Sequence, residues 1–254
     1  MPPANRPHMH FLLAAVLSVA PFFSGYHGCF VLLNMRTHER SEFNTTQCAR
    51  RFPPQSTFKI FNTMAGVDVG FLHGPDTMQR WSGEHYAIAA WNQDQTLQSA
   101  VAYSVVWYFQ RVATAVGPAR MQHFINAAGY GNRDISGGIT HFWLDSSLRI
   151  SANEEADFVA RLYENRLPFS SRAMHIVRQV IVVRKGRNYM FSGKTGTGGT
   201  YSHATIGWFV GHLQSPRGEY AFAANIFPAG KEPTGPRARA IVIEILESRG
   251  LLPR

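Results

Sequence analysis

Strand-forming stretches sit at the two ends of this chain, and the long middle has a different rhythm. Residues 29–34 (C-F-V-L-L-N) read as one strand, residues 36–40 as a polar turn and residues 41–44 as a shorter returning strand. Three more strand signals fall near the other end, at residues 189–195, 204–214 and 219–227. Ser215-Pro-Arg-Gly218 makes the hairpin turn between the last two. A sheet assembled from both ends must close around whatever lies between them. The order predicts an α+β fold: an antiparallel β-sheet flanked by helices, with a mainly helical subdomain at residues 70–185 inserted between the sheet-forming ends. With 254 residues, 45% of them hydrophobic, the chain can bury such a core. We read residues 21–254 as a single domain without repeats or low-complexity linkers.

Local signals order the middle. A helix opening at Ser56 should end before Gly70, and residues 71–94 have no clean period, so they read as loop with short helical turns. Residues 96–116 carry helical spacing, with Val101, Val105, Tyr108 and Val112 on one face. Gly117-Pro118 ends that helix and starts another, which Gly129 closes. Residues 130–150 form a long polar and aromatic loop. Ser151-Ala-Asn-Glu154 is a capping box for a helix to about residue 167, and Ser170 or Ser171 caps the next, to about residue 183. Residues 184–188 read as a basic turn, and residues 237–248 as a closing amphipathic helix ended by Gly250.

Residues 1–20 resemble a secretory signal peptide. Arg6, His8 and His10 make a weakly basic start, residues 11–20 an apolar run too short for a stable membrane span, and Ser18-Val19-Ala20 a small-residue cleavage site. The competing reading is a buried N-terminal helix. Export implies a periplasmic or secreted protein and permits, without requiring, a disulfide between Cys29 and Cys48. The formal charge of +9 is dispersed, with no block longer than Arg50-Arg51 or Arg184-Lys185. Such a distribution argues against a dedicated nucleic-acid surface and suits attraction of anionic small molecules.

Residues 54–61, P-Q-S-T-F-K-I-F, concentrate the chemistry. Ser56 and Lys59 are three apart, so a helix puts them on one face. Pro53 and Pro54 keep a helix from entering earlier. A helix start aims backbone N–H groups at whatever Ser56 holds. A serine hydroxyl needs a base, and lysine becomes one only when burial lowers its pKa. Phe58, Ile60 and Phe61 supply an apolar setting; the plain alternative is a capping serine beside a solvated lysine. The chain has only four lysines, which gives weight to a second one in a motif, Gly193-Lys194-Thr195-Gly196. That motif is not a phosphate loop, which needs glycine where Asn188 stands.

Taken in order, S-T-F-K, Ser104-Val-Val, Tyr130-Gly-Asn and K-T-G follow the arrangement of penicillin-recognising serine enzymes. The stretches F-P-P-Q-S-T-F-K-I, Y-S-V-V-W-Y-F-Q, Y-G-N-R-D-I-S-G-G-I, F-W-L-D-S-S-L-R-I-S and I-G-W-F-V-G resemble class D (oxacillinase-type) β-lactamases over about residues 25 to 250. The resemblance implies hydrolysis of β-lactams through an acyl-enzyme on Ser56. It implies that Lys59, carboxylated by dissolved CO2, is the general base, with Trp143 hydrogen-bonding the carbamate and Val106 walling it. Ser104 would relay a proton to the leaving nitrogen. Lys194 would place positive charge near the substrate carboxylate, and Thr195 would hydrogen-bond it. Gly196 and Thr197 would line the substrate, with the backbone N–H groups of Ser56 and Thr197 as the oxyanion hole. Tyr130 and Asn132 would shape the site rather than do chemistry. Neither a metal nor a dissociable cofactor is implied, and the expected partner is a small-molecule β-lactam.

One departure concerns the arginine expected three residues before Ile241, where Ala238 stands between Arg237 and Arg239. A one-residue shift assigns the substrate carboxylate to Arg237. Two relatives of the same fold remain as alternatives. A penicillin-binding transpeptidase is longer and usually carries Asn where Val106 stands. A non-hydrolytic β-lactam sensor acylates but releases slowly, and follows several transmembrane helices.

Overall fold

The computed structural model describes residues 18–200 and 203–254. A six-stranded antiparallel sheet, in spatial order β2-β1-β10-β9-β8-β7, brings the two ends of the chain together. Its strands are β1 (Tyr26–Asn34), β2 (Arg40–Phe43), β7 (Val182–Lys185), β8 (Met190–Thr200), β9 (His203–Ser215) and β10 (Gly218–Pro228). β1 lies along β10 with Cys29 opposite Asn225. The helices are α1 (Thr45–Ala49), α2 (Lys59–Asp68), α3 (Leu97–Ala102), α4 (Val106–Val116), α5 (Pro118–Ala128), α6 (Ala152–Tyr163), α7 (Ser171–Val180) and α8 (Gly235–Ser248). Two small pairings tie loops down: β3 (Arg51–Phe52) on β6 (Ile150–Ser151), and β4 (Met78–Gln79) on β5 (Gln95–Thr96).

Both faces of the sheet are buried, which is why its central strands read as near-continuous apolar runs. Alternate residues divide between two cores. Cys29, Val31 and Leu33 face the helical subdomain, with Trp208, Val210, Ala221 and Ala223. Phe30 and Leu32 face the other way, with Phe209, Phe222 and Ile226, under Ile241, Val242 and Ile245 of α8. Of the expected signal segment, residues 1–17 lie outside the described residues. Val19 is buried in the second core with Phe23, so packing begins two residues ahead of the expected domain boundary.

Several expectations need correction. Residues 96–116 form two helices, broken at residues 103–105. Val101, Val105, Tyr108 and Val112 are all buried across the break, so the apolar period survives where the helix does not. The helix after Ser151 ends at Tyr163, with Asn165 at φ 56, ahead of Pro168. Residues 182–183 are not the end of a helix, nor residues 184–185 part of a turn; together they form the edge strand β7, paired to β8. The hairpin does not lead straight to Ser56, because α1 and β3 intervene.

The caps follow the sequence. Ser151 accepts from the Glu154 N–H, and the Glu154 carboxylate accepts from the Ser151 N–H. Ser170 caps α7 by accepting from the Ala173 N–H. Ser151→Ala should cost about 1 kcal/mol. The expected result is a lower urea midpoint at unchanged slope in equilibrium unfolding.

Candidate active site

Two prolines and a left-handed residue set the turn that carries Ser56. Pro53-Pro54 enters it, and Gln55 stands at φ 55, a conformation that side chains adopt only when the surroundings enforce it. Residues Gln55–Phe58 then make one turn of 3-10 helix that runs on into α2. Ser56 therefore sits one turn ahead of the α-helix proper and does not cap it, contrary to the simplest reading of its position. Three ties hold the turn to its neighbours. The Gln55 N–H donates to the Trp143 carbonyl at 2.9 Å. Gln55 Nε2 and the Gly199 N–H donate to the two carboxylate oxygens of Asp145, at 2.7 and 2.9 Å. Trp208 Nε1 donates to the Pro53 carbonyl at 3.0 Å. A Cβ on Gly196 would lie 3.1 Å from the Pro54 carbonyl and 3.3 Å from the Ser56 nitrogen, so β8 runs directly against the turn.

Lys59 Nζ lies 2.7 Å from Ser56 Oγ. The lysine is 1% exposed, with its amine over the Phe109 ring at 5.4 Å. Burial pushes its pKa well below the ordinary lysine value, and the charge of Lys194 pushes it further down. Behind it Phe58 stacks on Trp143 with ring centroids 5.6 Å apart. Trp143 is fully buried, and its indole N–H has no acceptor among the described residues. Val106 is half-buried at the start of α4.

A second serine–lysine pair faces the first. Lys194 Nζ donates to Ser104 Oγ at 3.0 Å and to the Thr195 carbonyl at 3.0 Å. Ser104 lies between α3 and α4 at φ 58, not within the continuous helix that the spacing of residues 96–116 suggested. The left-handed residue ends α3 and offers its hydroxyl to Lys194. Lys194 is 4% exposed, and burial with the nearby charge of Arg239 brings its pKa down to about 7. Thr197 is exposed on the strand, and its Oγ1 accepts from the Gly235 N–H at 2.8 Å, which fixes the start of α8 against β8.

The structure separates the two candidate arginines. Arg237 Nη1 donates to Glu244 at 3.1 Å, and its guanidinium lies over Tyr26 at 5.8 Å. Arg239 lines a cleft of about 220 Å³ with Lys194, Thr195, Val101 and Val182. Helix geometry explains the choice. Gly235 abuts Gly196 and Thr195, and Arg239, four residues on, shares that face. Arg237, two residues on, points the opposite way. Tyr130 and Asn132 lie away from the two pairs. Asn132 ties its loop to the Ser147 carbonyl and the Arg149 N–H, and Tyr130 donates to buried Glu155 at 2.9 Å. Sequence reasoning missed Phe109, Asp145 and Glu155. Phe109 could have been found from its place one helical turn after Val106, and Asp145 from its place in the F-W-L-D stretch two residues after Trp143; nothing in the sequence marked Glu155.

The family described as the penicillin-binding protein transpeptidase domain matches residues 28–247. Fold, paired serines and paired lysines thus define a penicillin-recognising serine protein. "Probable beta-lactamase YbxI" of Bacillus subtilis (strain 168) is 35% identical over 249 residues, 98% of this chain and 91% of the relative. A crystal structure of a class D β-lactamase from Bacillus subtilis superposes with a TM-score of 0.89 at 35% identity, covering 94% of this chain and 98% of that one. The regulatory protein BlaR1 of Bacillus licheniformis is 32% identical over 89% of this chain and 37% of its own length. The chain belongs to the transpeptidase family and, within it, to the class D serine β-lactamases.

The cleft's charge can be read directly. With lysine carbon-13 labelled at Cε, one of four signals should titrate at about 7 and vanish in Lys194→Arg. In Arg239→Ala the same titration should move upward, because a repelling charge has gone.

Proposed function

We propose that this protein hydrolyses β-lactams with Ser56 as nucleophile, Lys59 as the site of the general base and Ser104 as proton relay. The observation that carries this reading is the opposed pairing of Ser56 with buried Lys59 at 2.7 Å and of Ser104 with buried Lys194 at 3.0 Å. Lys59 draws the proton from Ser56 as the hydroxyl attacks the ring carbonyl. Ser104 passes a proton to the departing ring nitrogen, and Lys194 keeps that hydroxyl oriented. The backbone N–H groups of Ser56 and Thr197 stabilise the oxyanion, a reading supported by the close approach of β8 at Gly196. Thr195 and Arg239 take the substrate carboxylate. The apolar run at residues 11–20 supports export to the periplasm or beyond.

The pocket also suits a carbamate on Lys59. Only a neutral amine reacts with CO2, and burial favours the neutral amine here. The buried, unpartnered Trp143 Nε1–H is a donor suited to holding the added group, and Phe58 and Phe109 keep its surroundings apolar. When present, the group supplies an oxygen base beside Ser56 at neutral pH.

Wild-type protein should turn over a penicillin many times per molecule, and Ser56→Ala should abolish turnover. One stoichiometric acylation that then stops would instead mark a sensor like BlaR1. In degassed buffer the rate should fall and recover with added bicarbonate, and labelled CO2 should give a carbamate carbon signal. Trp143→Ala should slow deacylation more than acylation. Bicarbonate-independent turnover without that signal would mean that Lys59 acts as a free amine.

Arg239→Ala should raise KM roughly tenfold, since a charge-assisted hydrogen bond contributes about 1.5–3 kcal/mol. Arg237→Ala should leave KM within about twofold. Steady-state kinetics on the two variants separates these outcomes.

A further inference from the structure

Behind the Ser56 turn lies a buried carboxyl group that the proposed chemistry does not use. Glu155, in the first turn of α6, is 1% exposed. Its Oε1 lies 2.7 Å from Thr57 Oγ1 and 2.9 Å from the Tyr130 hydroxyl. Thr57 Oγ1 also lies 2.7 Å from the Pro54 carbonyl. Thr57 follows the nucleophile directly, and Pro54 begins the turn that presents it.

The hydrogens around Thr57 can be counted. Its hydroxyl carries one hydrogen, and the Pro54 carbonyl can only accept. If Glu155 is ionised, that hydrogen serves either Pro54 or Glu155. The other 2.7 Å contact then sets lone pair against lone pair. If Oε1 carries a proton aimed at Thr57, every contact is filled. Glu155 donates to Thr57, Thr57 donates to the Pro54 carbonyl, and Tyr130 donates to Oε1. No other placement gives each of the three contacts a hydrogen of its own; with Glu155 ionised, the single Thr57 hydrogen is at best divided between two acceptors.

The electrostatic surroundings agree. Burial raises the pKa of Glu155 to about 7, with its hydrogen bonding to Thr57 and Tyr130 opposing and the charge of Glu154 assisting. Cations on neighbouring elements are engaged elsewhere. Arg51 of β3 pairs with Glu154, and Arg40 of β2 with Asp157. On the sheet behind α6, His212 of β9 is no cation: burial brings its pKa down to about 3, and the neutral ring hydrogen-bonds Glu219 of β10. Arg161 of α6 and Arg178 of α7 donate to the Ala128 and Leu162 carbonyls.

We propose that Glu155 is a neutral carboxylic acid whose proton, given to Thr57, fixes the turn that carries Ser56. It is a positioning residue for the reaction, acting through Thr57 and the Pro54 carbonyl. Ionisation removes the donor, sets Oε1 against Thr57 and loosens the nucleophile's turn. The catalytic consequence rests on Ser56 being the nucleophile; the protonation and its effect on the fold do not.

The test compares wild type with Glu155→Gln, whose side-chain N–H donates to Thr57 at every pH. In buffer saturated with bicarbonate, the ratio of kcat/KM, variant over wild type, should be flat below pH 6. It should rise about tenfold by pH 8, mainly in kcat. Titrations of Lys59 and Lys194 occur in both proteins and cancel in the ratio. In Thr57→Val, which has no acceptor for the proton, adding Glu155→Gln should no longer change the pH profile. A ratio flat from pH 6 to 9 would overturn the proposal.

A second measurement does not need turnover. The folded pKa of Glu155 is raised above the ordinary carboxyl value of about 4.3. The acid's stabilisation is therefore complete below that value and is lost as pH rises through about 7. The urea midpoint of Glu155→Gln should gain on wild type between pH 5 and pH 8, even in a protein that only acylates once. An unchanged difference between the midpoints would also overturn the proposal.

Discussion

Two lysine amines are buried side by side without a carboxylate to neutralise them, and the site depends on that arrangement. Neither Lys59 nor Lys194 takes part in an ion pair among the described residues. Each has instead a serine hydroxyl within hydrogen-bond distance. A buried ammonium without a counterion is costly, so proton loss relieves it. Each lysine's charge makes the other's less favourable. The apolar packing of Phe58, Phe109 and Trp143 thus contributes to chemistry as well as to stability, because opening it to water would restore ordinary lysines.

Holding such a pair in register requires a rigid frame. The Ser56 turn is braced on three sides, by Trp143 and Asp145 of the long loop, by β8 and β9, and by Glu155 of α6. Strain at Gln55 and Ser104, both left-handed, is tolerated because the surrounding hydrogen bonds over-determine the backbone. The helical subdomain supplies Ser104 and Trp143, the sheet supplies Lys194, and the Ser56 turn lies where they meet.

Motifs made the chemistry legible, and periodicity made the layers legible, but neither reported direction. Ser56, Lys59, Ser104, Trp143 and Lys194 were readable because short motifs preserve residue type and order. Ser104 was misplaced within a helix because the buried stripe from Val101 to Val112 continues across a break that the hydrogen bond from Lys194 accompanies. Arg237 was preferred over Arg239 by counting along the chain, whereas the contact of Gly235 with β8 decides which arginine faces the cleft. The edge strand β7 was read as a helix end passing into a basic turn because its Val-Val-Arg-Lys run has no partner until β8 is placed beside it. Glu155 was invisible for a different reason. A capping box accounts for Glu154, and nothing local says that the next residue points inward.

The position of β1 has a consequence for how the molecule comes to exist. β1 is among the first elements of the chain, yet its partner on one side is β10, formed by residues near the other end. During synthesis the central seam of the sheet cannot close until almost the whole polypeptide has been made. The helical middle must wait with one face uncovered while β1 has only β2 beside it. Such long-range pairing slows folding and prolongs the exposure of apolar strands. The juxtaposition that joins the two ends of the chain therefore fixes the last step of assembly as well as the final architecture.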